Sequence, residues 1–181
     1  LTKNHVYSKE MEHDACGVGL IASTEGKKSR AIVEYGIEAL KAVWHRGAVD
    51  ADGKTGDGAG IHVEIPKDFF IEKIQVTGHD YDNSEICVGM IFLPRNDYSA
   101  QESCKTIVES ELTKNNFSIY GWRQVPVNPK VLGEKALQTM PEIIQVLFKS
   151  NDPNLLDKNL ERKIYETRKR IENKAFEASL N

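Results

Sequence analysis

Two residues stand where chemistry is possible: a cysteine close to the chain start, and an arginine just ahead of a glycine-dense loop. Cys16 lies where a short polar leader meets an apolar run, in Glu12-His13-Asp14-Ala15-Cys16-Gly17-Val18-Gly19-Leu20-Ile21-Ala22. A cysteine exposed as a new chain start carries its own base. A free α-amine titrates at about 7.7–8.0 and a thiol at about 8.5, so the amine can take the thiol proton at neutral pH. With residues 1–15 attached that nitrogen is an amide, and the chain as written reads as a precursor. The same cysteine, beside Gly-Val-Gly, also suits a small core position at a strand start, the commoner use when the residue is taken alone.

Arg46 opens the second candidate region, Trp44-His45-Arg46-Gly47-Ala48-Val49-Asp50-Ala51-Asp52-Gly53-Lys54-Thr55-Gly56-Asp57-Gly58-Ala59-Gly60-Ile61. A guanidinium there can pair bidentately with a carboxylate and orient a small substrate. It also suits a helix end, where the dipole favours a cation. Gly56-x-Gly58-x-Gly60 invites a nucleotide-loop reading. A dinucleotide fingerprint, however, leaves a strand and opens a helix, and this loop runs from helix to strand. Gly53-Lys54-Thr55 precedes the glycine cluster instead of closing it, which also argues against a phosphate loop. Asp50, Asp52 and Asp57 lack the spacing and closing glutamate of a calcium loop and read as a solvated acidic loop. His13 and Cys16 are three apart, but no second ligand pair follows, so no metal site is expected.

The elements that must carry these residues alternate between the periods of strand and helix. Cys16 to Ser23 has strand length, with a polar turn after it at Gly26. Ile32, Val33, Gly36, Ile37, Leu40, Val43 and Trp44 form one face of an amphipathic helix, with Ser29 as N-cap and Gly47 just past the end. Ile61, Val63 and Ile65 alternate with polar residues as a half-buried strand stopped by Pro66. Ile86 to Leu93 reads as a central strand, and Cys104, Ile107, Val108 and Leu112 as the next helical face. Phe117 to Val127 reads as a strand interrupted at Gly121, and Pro141 to Phe148 fits either a buried strand or a short helix. A charged helix runs to about Phe176, buried through Leu160, Ile164, Ile171 and Ala175. Its interleaved Lys163, Glu166, Arg168, Lys169, Arg170 and Glu172 read as a solvated face with i,i+4 pairs. Lys27, Lys28 and Arg30 read as a solvated turn, and Trp122 with Arg123 as an aromatic at the core edge or a stacking pair. The class is α+β or α/β, with apolar strands wanting cover on both faces.

Composition bounds the function. The chain has 181 residues, 40% hydrophobic and 28% charged, enough for one domain or two small ones. A formal net charge of −3 gives no electrostatic case for nucleic acid or an anionic membrane. Three widely spaced cysteines (Cys16, Cys87 and Cys104) fit reduced thiols in a cytoplasmic protein better than a disulfide framework. No apolar run approaches the roughly 20 residues of a membrane span, and no signal-peptide core is visible. The sequence opens on Leu1 rather than Met and reads as an excerpt or a processed product.

Cys-Gly-Val-Gly at 16–19, His-Arg-Gly-Ala at 45–48 and the long Asp-Gly-Lys-Thr-Gly-Asp-Gly-Ala-Gly-Ile string at 52–61 resemble the amino end of the glutamate synthase large subunits. Tyr120-Gly121-Trp122-Arg123-Gln124-Val125-Pro126 and Glu134-Lys135-Ala136 resemble the same family, so the likeness runs from about Glu12 to the end. The resemblance implies a class II glutamine amidotransferase domain of the N-terminal-nucleophile type. Its implied fold is α+β, an αββα sandwich of antiparallel sheets between helix layers, incomplete in this chain. Residues 1–15 would be a leader removed on maturation, and 16–181 the amino-terminal part of the glutaminase domain. Cys16 would be the nucleophile, with its freed amine as base, and Arg46 and Gly47 would bind glutamine. The glutaminase would supply ammonia for glutamate synthesis from 2-oxoglutarate. The resemblance further implies downstream synthase and FMN-binding domains of the same polypeptide, with a small reductase subunit as a further partner. FMN and an iron–sulfur cluster are implied for the complete enzyme, with no cofactor in this chain and no nucleic-acid or membrane partner.

The departures also inform. The family's oxyanion donors come from an Asn-Gly pair, and no such dipeptide occurs in the 181 residues; loss of such a donor costs on the order of 10²–10³ in rate. Cys87 and Cys104 lack the close spacing of an iron–sulfur set. The segment by itself is therefore expected to be inactive. The alternatives are a non-catalytic relic or partner-binding module of the same fold, and the glutaminase domain of another glutamine-dependent amidotransferase.

Overall fold

The computed structural model describes residues 17–180. In chain order its elements are α1 (Arg30–Ala42), a 3₁₀ turn (Trp44–Arg46), α2 (Lys67–Val76), β1 (Cys87–Leu93), α3 (Tyr98–Lys114), β2 (Phe117–Gln124), a second 3₁₀ turn (Pro129–Val131), α4 (Glu134–Thr139), β3 (Glu142–Ser150) and α5 (Asp157–Glu177). The chain forms two compact units. Of the described residues, one unit joins 17–63 to Pro129–Gln138, and the other joins Glu64–Asn128 to 139–180.

The second unit is built on a three-stranded antiparallel sheet in the order β1-β3-β2. The segment that fits helix or strand by sequence is thus the central strand. Its middle is apolar on both faces because both faces are covered. Val146 and Phe148 point to one side, where Val108 and Leu112 of α3 and Leu160 of α5 pack with Cys87 and Phe117. Leu147 points to the other side and meets Phe70 and Ile74 of α2, together with Ile86 and Tyr120. Leu147 and Ile74 are wholly excluded from solvent, and each such side chain contributes about 1.5–3 kcal/mol by burial. The α+β class is as expected; of the implied αββα sandwich of sheets, the described residues form one three-stranded sheet with helices on both faces.

A bulge sets the phase of β2. Ile119 pairs with Phe148 but Gly121 pairs with Leu147, so Tyr120 is the extra residue. Phe117 and Ile119 before it and Trp122 after it consequently share the α3–α5 face, while Tyr120 turns to the α2 face. Gly121 has φ +146, and a Cβ there would lie 2.7 Å from Thr77 Cγ2. This is the interruption the sequence shows at Gly121, and it requires glycine. Thr77 Oγ1 donates to the Tyr120 carbonyl at 2.7 Å, and the Tyr120 hydroxyl donates to Asp82 at 2.8 Å. Trp122 and Arg123 do not stack on each other: the indole N–H donates to Glu109, and the guanidinium lies 5.1 Å from the Phe69 ring centroid.

The helices start and stop on local chemistry. Asp97 caps α3 by accepting from the Ala100 N–H at 2.9 Å. Asn116, at φ +66, turns the chain from α3 into β2. Glu111 on α3 is buried and paired with Lys174 of α5 and Lys114; these cations, Lys174 above all, hold its carboxyl below the usual glutamate range. The exposed face of α5 carries the expected pairs, such as Arg162–Glu166 and Arg168–Glu172. Helix α2 is not marked by an apolar period in the sequence, where Pro66 signals only the end of a strand.

The first unit is different. Ser29 Oγ accepts from the Ile32 N–H and caps α1 as its sequence indicates, yet α1 has no buried residue. The strand expected at 16–23 is not formed over its described part, residues 17–23, where Val18 and Leu20 are 93% and 88% exposed. The alternating segment 61–65 likewise joins no ladder. An apolar run becomes a strand only where another strand takes its N–H and C=O groups, and the described residues supply none to these two.

Candidate functional site

The candidate site lies in the first unit. Helix α1 ends at Ala42, and the 3₁₀ turn Trp44–Arg46 follows, closed by the Arg46 N–H donating to the Val43 carbonyl at 2.9 Å and the Gly47 N–H donating to the Trp44 carbonyl at 3.0 Å. The turn projects Arg46 into solvent. Among the described residues its guanidinium meets no carboxylate. Gly47 sits at φ −86, ψ 146, a conformation open to any residue, so the helix does not use it as a left-handed cap.

Gly17, the covalent neighbour of Cys16, is exposed and runs close to this turn. A Cβ built on it would lie 3.6 Å from Arg46 Cβ and 3.6 Å from Val43 Cγ2. Cys16 itself, and residues 1–15, His13 among them, lie outside the described residues.

After Gly47 the chain makes a closed loop whose own groups satisfy its backbone. Val49 and Gly56 form an antiparallel bridge. The Asp50 N–H donates to the Thr55 carbonyl at 2.7 Å, and the Asp57 N–H to the Ala48 carbonyl at 3.1 Å. Asp57 Oδ2 accepts from the Ala48 N–H at 2.8 Å. Asp52 Oδ1 accepts from the N–H groups of Lys54 and Thr55, and its Oδ2 from the Thr55 hydroxyl at 2.6 Å. The Thr55 hydroxyl, with those two amides, holds the Asp52 carboxyl down to about 2. Two glycines are sterically required: Gly53 at φ +69, and Gly56, whose Cβ would fall 2.8 Å from the Ala48 carbonyl oxygen. Asp52 and Asp57 are thus exposed, Asp50 half-buried, and all three engaged. Because the loop's amides point inward to its own oxygens, it is not arranged as a phosphate cradle.

A segment distant in sequence meets this loop within the same unit. Lys135 Nζ donates to Asp50 Oδ2 at 2.6 Å, and the Glu134 backbone N–H donates to the Asp52 carboxylate. Gly133 is buried, and any Cβ on it would collide with the Thr55 side chain and amide and with Asp52. Nothing in the local sequence around Asp50 announces a partner 85 positions later.

The remaining thiols are structural. Cys87 and Cys104 are free. Burial pushes the Cys87 thiol up to about 12 and raises that of Cys104. Among the described residues no group of three His, Cys, Asp or Glu side chains could hold a metal ion, and no helix is long and apolar enough to cross a membrane.

Residues 16–181 match the family of class-II glutamine amidotransferases, and the chain belongs to that family. It is 54% identical over 172 residues to the glutamate synthase (NADPH) large chain of Azospirillum brasilense, covering 95% of this chain and 11% of that protein. It is 42% identical over 166 residues to the ferredoxin-dependent glutamate synthase of Pyropia yezoensis, covering 91% of this chain and 10% of that protein. With ferredoxin-dependent glutamate synthase 1 (chloroplastic/mitochondrial) of Arabidopsis thaliana the identity is 40% over 162 residues, covering 89% and 10%. The chain therefore spans about a tenth of the length of these relatives.

Proposed function

We propose that this chain is the nucleophile-bearing part of the glutaminase domain of a glutamate synthase. The observation that supports the reading is the nearness of Gly17 to the Arg46 stem: a Cβ on the residue after the candidate nucleophile would lie 3.6 Å from Arg46 Cβ. Family membership and the names of the relatives supply the substrate class.

On this reading residues 1–15 are removed, and the freed α-amine of Cys16 takes its thiol proton. The thiolate attacks the side-chain amide carbon of glutamine. The tetrahedral intermediate expels ammonia, whose extra proton comes from the α-ammonium, and leaves a γ-glutamyl thioester. Water, deprotonated by the same amine, then attacks the thioester carbon; the thiol is released with glutamate. Arg46 holds the α-carboxylate of glutamine through its planar fork, and Gly47 leaves the turn uncluttered beside it. The oxyanion of each tetrahedral step requires donors this chain lacks as an Asn-Gly pair. The segment is accordingly inactive alone and works within the longer polypeptide, where the ammonia meets 2-oxoglutarate in the downstream synthase region. The thiols present do not fit an iron–sulfur cluster, since Cys87 is buried with its thiol raised to about 12 and the other cysteines are far away in sequence. That cluster and FMN belong, in this proposal, to the remaining length of the protein.

The test is the amino-terminal mass of the complete protein from its native host, joined to Cys16→Ala. A chain beginning at Cys16, and a variant that loses glutamine hydrolysis yet keeps ammonia-dependent synthesis, is the expected result. A mature chain still carrying residues 1–15, or a variant that still hydrolyses glutamine, overturns the reading.

A further inference from the structure

The loop Ala48–Asp57 follows Arg46 after a single intervening residue, Gly47, so a shift of the loop is transmitted to the turn that presents the guanidinium. Its internal hydrogen bonds fix its shape but not its seat. The seat is provided by residues 133–135 through three different contacts: the ion pair to Asp50, the Glu134 amide on Asp52, and a glycine with no room for a side chain against Thr55. The Lys135 and Asp50 side chains are 67% and 33% exposed. A pair that open to solvent adds little to global stability. A displacement of about 1 Å in a positioning element, by contrast, can cost on the order of 10²-fold in rate.

We propose that the segment Pro129–Gln138 latches the glycine-dense loop, with Lys135, Asp50 and Gly133 as positioning residues for the glutamine site. The inference rests on the glutaminase reading for its kinetic consequence, while the latch itself is a property of the fold.

The experiment uses the complete polypeptide. Lys135→Glu and Asp50→Lys, which place like charges opposite each other, each raise the KM for glutamine by about fivefold, the scale of an exposed pair. In both, ammonia-dependent synthesis, which does not use the glutamine site, stays within about twofold of the unaltered protein. The double variant Asp50→Lys/Lys135→Glu restores the KM. Gly133→Ala lowers kcat/KM for glutamine by about 10²-fold. Amide hydrogen exchange over residues 48–57 quickens in the single charge variants and recovers in the double one. An unchanged KM in both single variants, no rescue in the double, or equal losses in glutamine- and ammonia-dependent activity overturns the proposal. If Cys16→Ala shows that glutamine hydrolysis does not depend on Cys16, the functional reading falls and the exchange measurement alone decides: quickening with rescue upholds the latch, and unaltered exchange overturns it.

Discussion

Replacing Gly121 with alanine tests the bulge that sets the second unit. Two independent penalties meet at this position. The backbone sits at φ +146, where an L residue pays strain, and the new methyl would lie 2.7 Å from Thr77 Cγ2 and 3.0 Å from Thr77 Cβ. A residue forced into a sparsely populated backbone region costs about 1–3 kcal/mol, and overpacking costs a similar about 1–3 kcal/mol. The sum, about 2–6 kcal/mol, is a large part of the 5–15 kcal/mol typical of a domain. With a urea slope of about 1–3 kcal/mol per molar, the unfolding midpoint falls by about 2 M. Urea titration followed by far-ultraviolet circular dichroism and by Trp122 fluorescence reads this directly. A Thr77→Gly partner variant separates the two penalties. It removes the colliding side chain, so the steric part is recovered in the double variant, whereas the backbone part remains. The Thr77→Gly change has its own cost, because the one Thr77 hydroxyl proton is shared between the Ile74 and Tyr120 carbonyls, and the cycle subtracts it. A midpoint shift below about 0.3 M in Gly121→Ala refutes the bulge geometry. A shift with no coupling to Thr77 refutes the contact.

Arg46→Lys keeps the charge and removes the planar fork, so the KM for glutamine in the complete protein should rise by about tenfold with the fold intact; an unchanged KM removes Arg46 from the substrate site. Glu111 is held below the usual glutamate value near 4.5 by Lys174 and Lys114. Its contribution is therefore fully present above that value and is lost as pH falls through the lowered one. Thermal midpoints should drop on acidification below about pH 4.5, and Glu111→Gln should lose about 1–3 kcal/mol at neutral pH while flattening the acid limb; parallel curves for the two proteins contradict the pairing. Cys87, with its thiol raised to about 12, should resist iodoacetamide at pH 8 in the folded chain and react after denaturation, as peptide mass mapping would show; rapid labelling when folded would contradict its burial.

How much of this was legible in the sequence depends on the range of the interaction involved. Ser29 and the helix it caps were readable because the cap bonds three residues ahead. The strand Cys87–Leu93 was readable because an apolar run bounded by Pro94 fits little else. Glu142–Ser150 was ambiguous because a strand covered on both faces has no alternation, and its neighbours β1 and β2 decide its state. Helix α2 escaped because only Phe70 and Ile74 are buried in it, too few to impose a period. At the candidate site the loop from 48 to 57 was visible as glycines and acids, but their hydrogen bonding was not. Carboxylates read as solvated turn out to accept amides of their own loop. Lys135 carried a family likeness without a role, and Gly133 no signal at all, because a contact spanning 85 positions leaves no local trace.

The strand order has a consequence for synthesis. β1 and β2 both pair with β3 and not with each other, and β3 is the last of the three to leave the ribosome. β1 is complete about fifty residues before β3 begins, an interval of roughly 3 to 10 s at 5–20 residues per second. Throughout it Cys87-Val88-Gly89-Met90-Ile91-Phe92-Leu93 is an apolar run whose strand partner has not yet been made, the kind of segment that pairs with neighbouring chains. The nascent protein thus passes through an obligatory aggregation-prone window, and holdase binding to a ribosome-bound chain should peak between the emergence of Leu93 and that of Ser150.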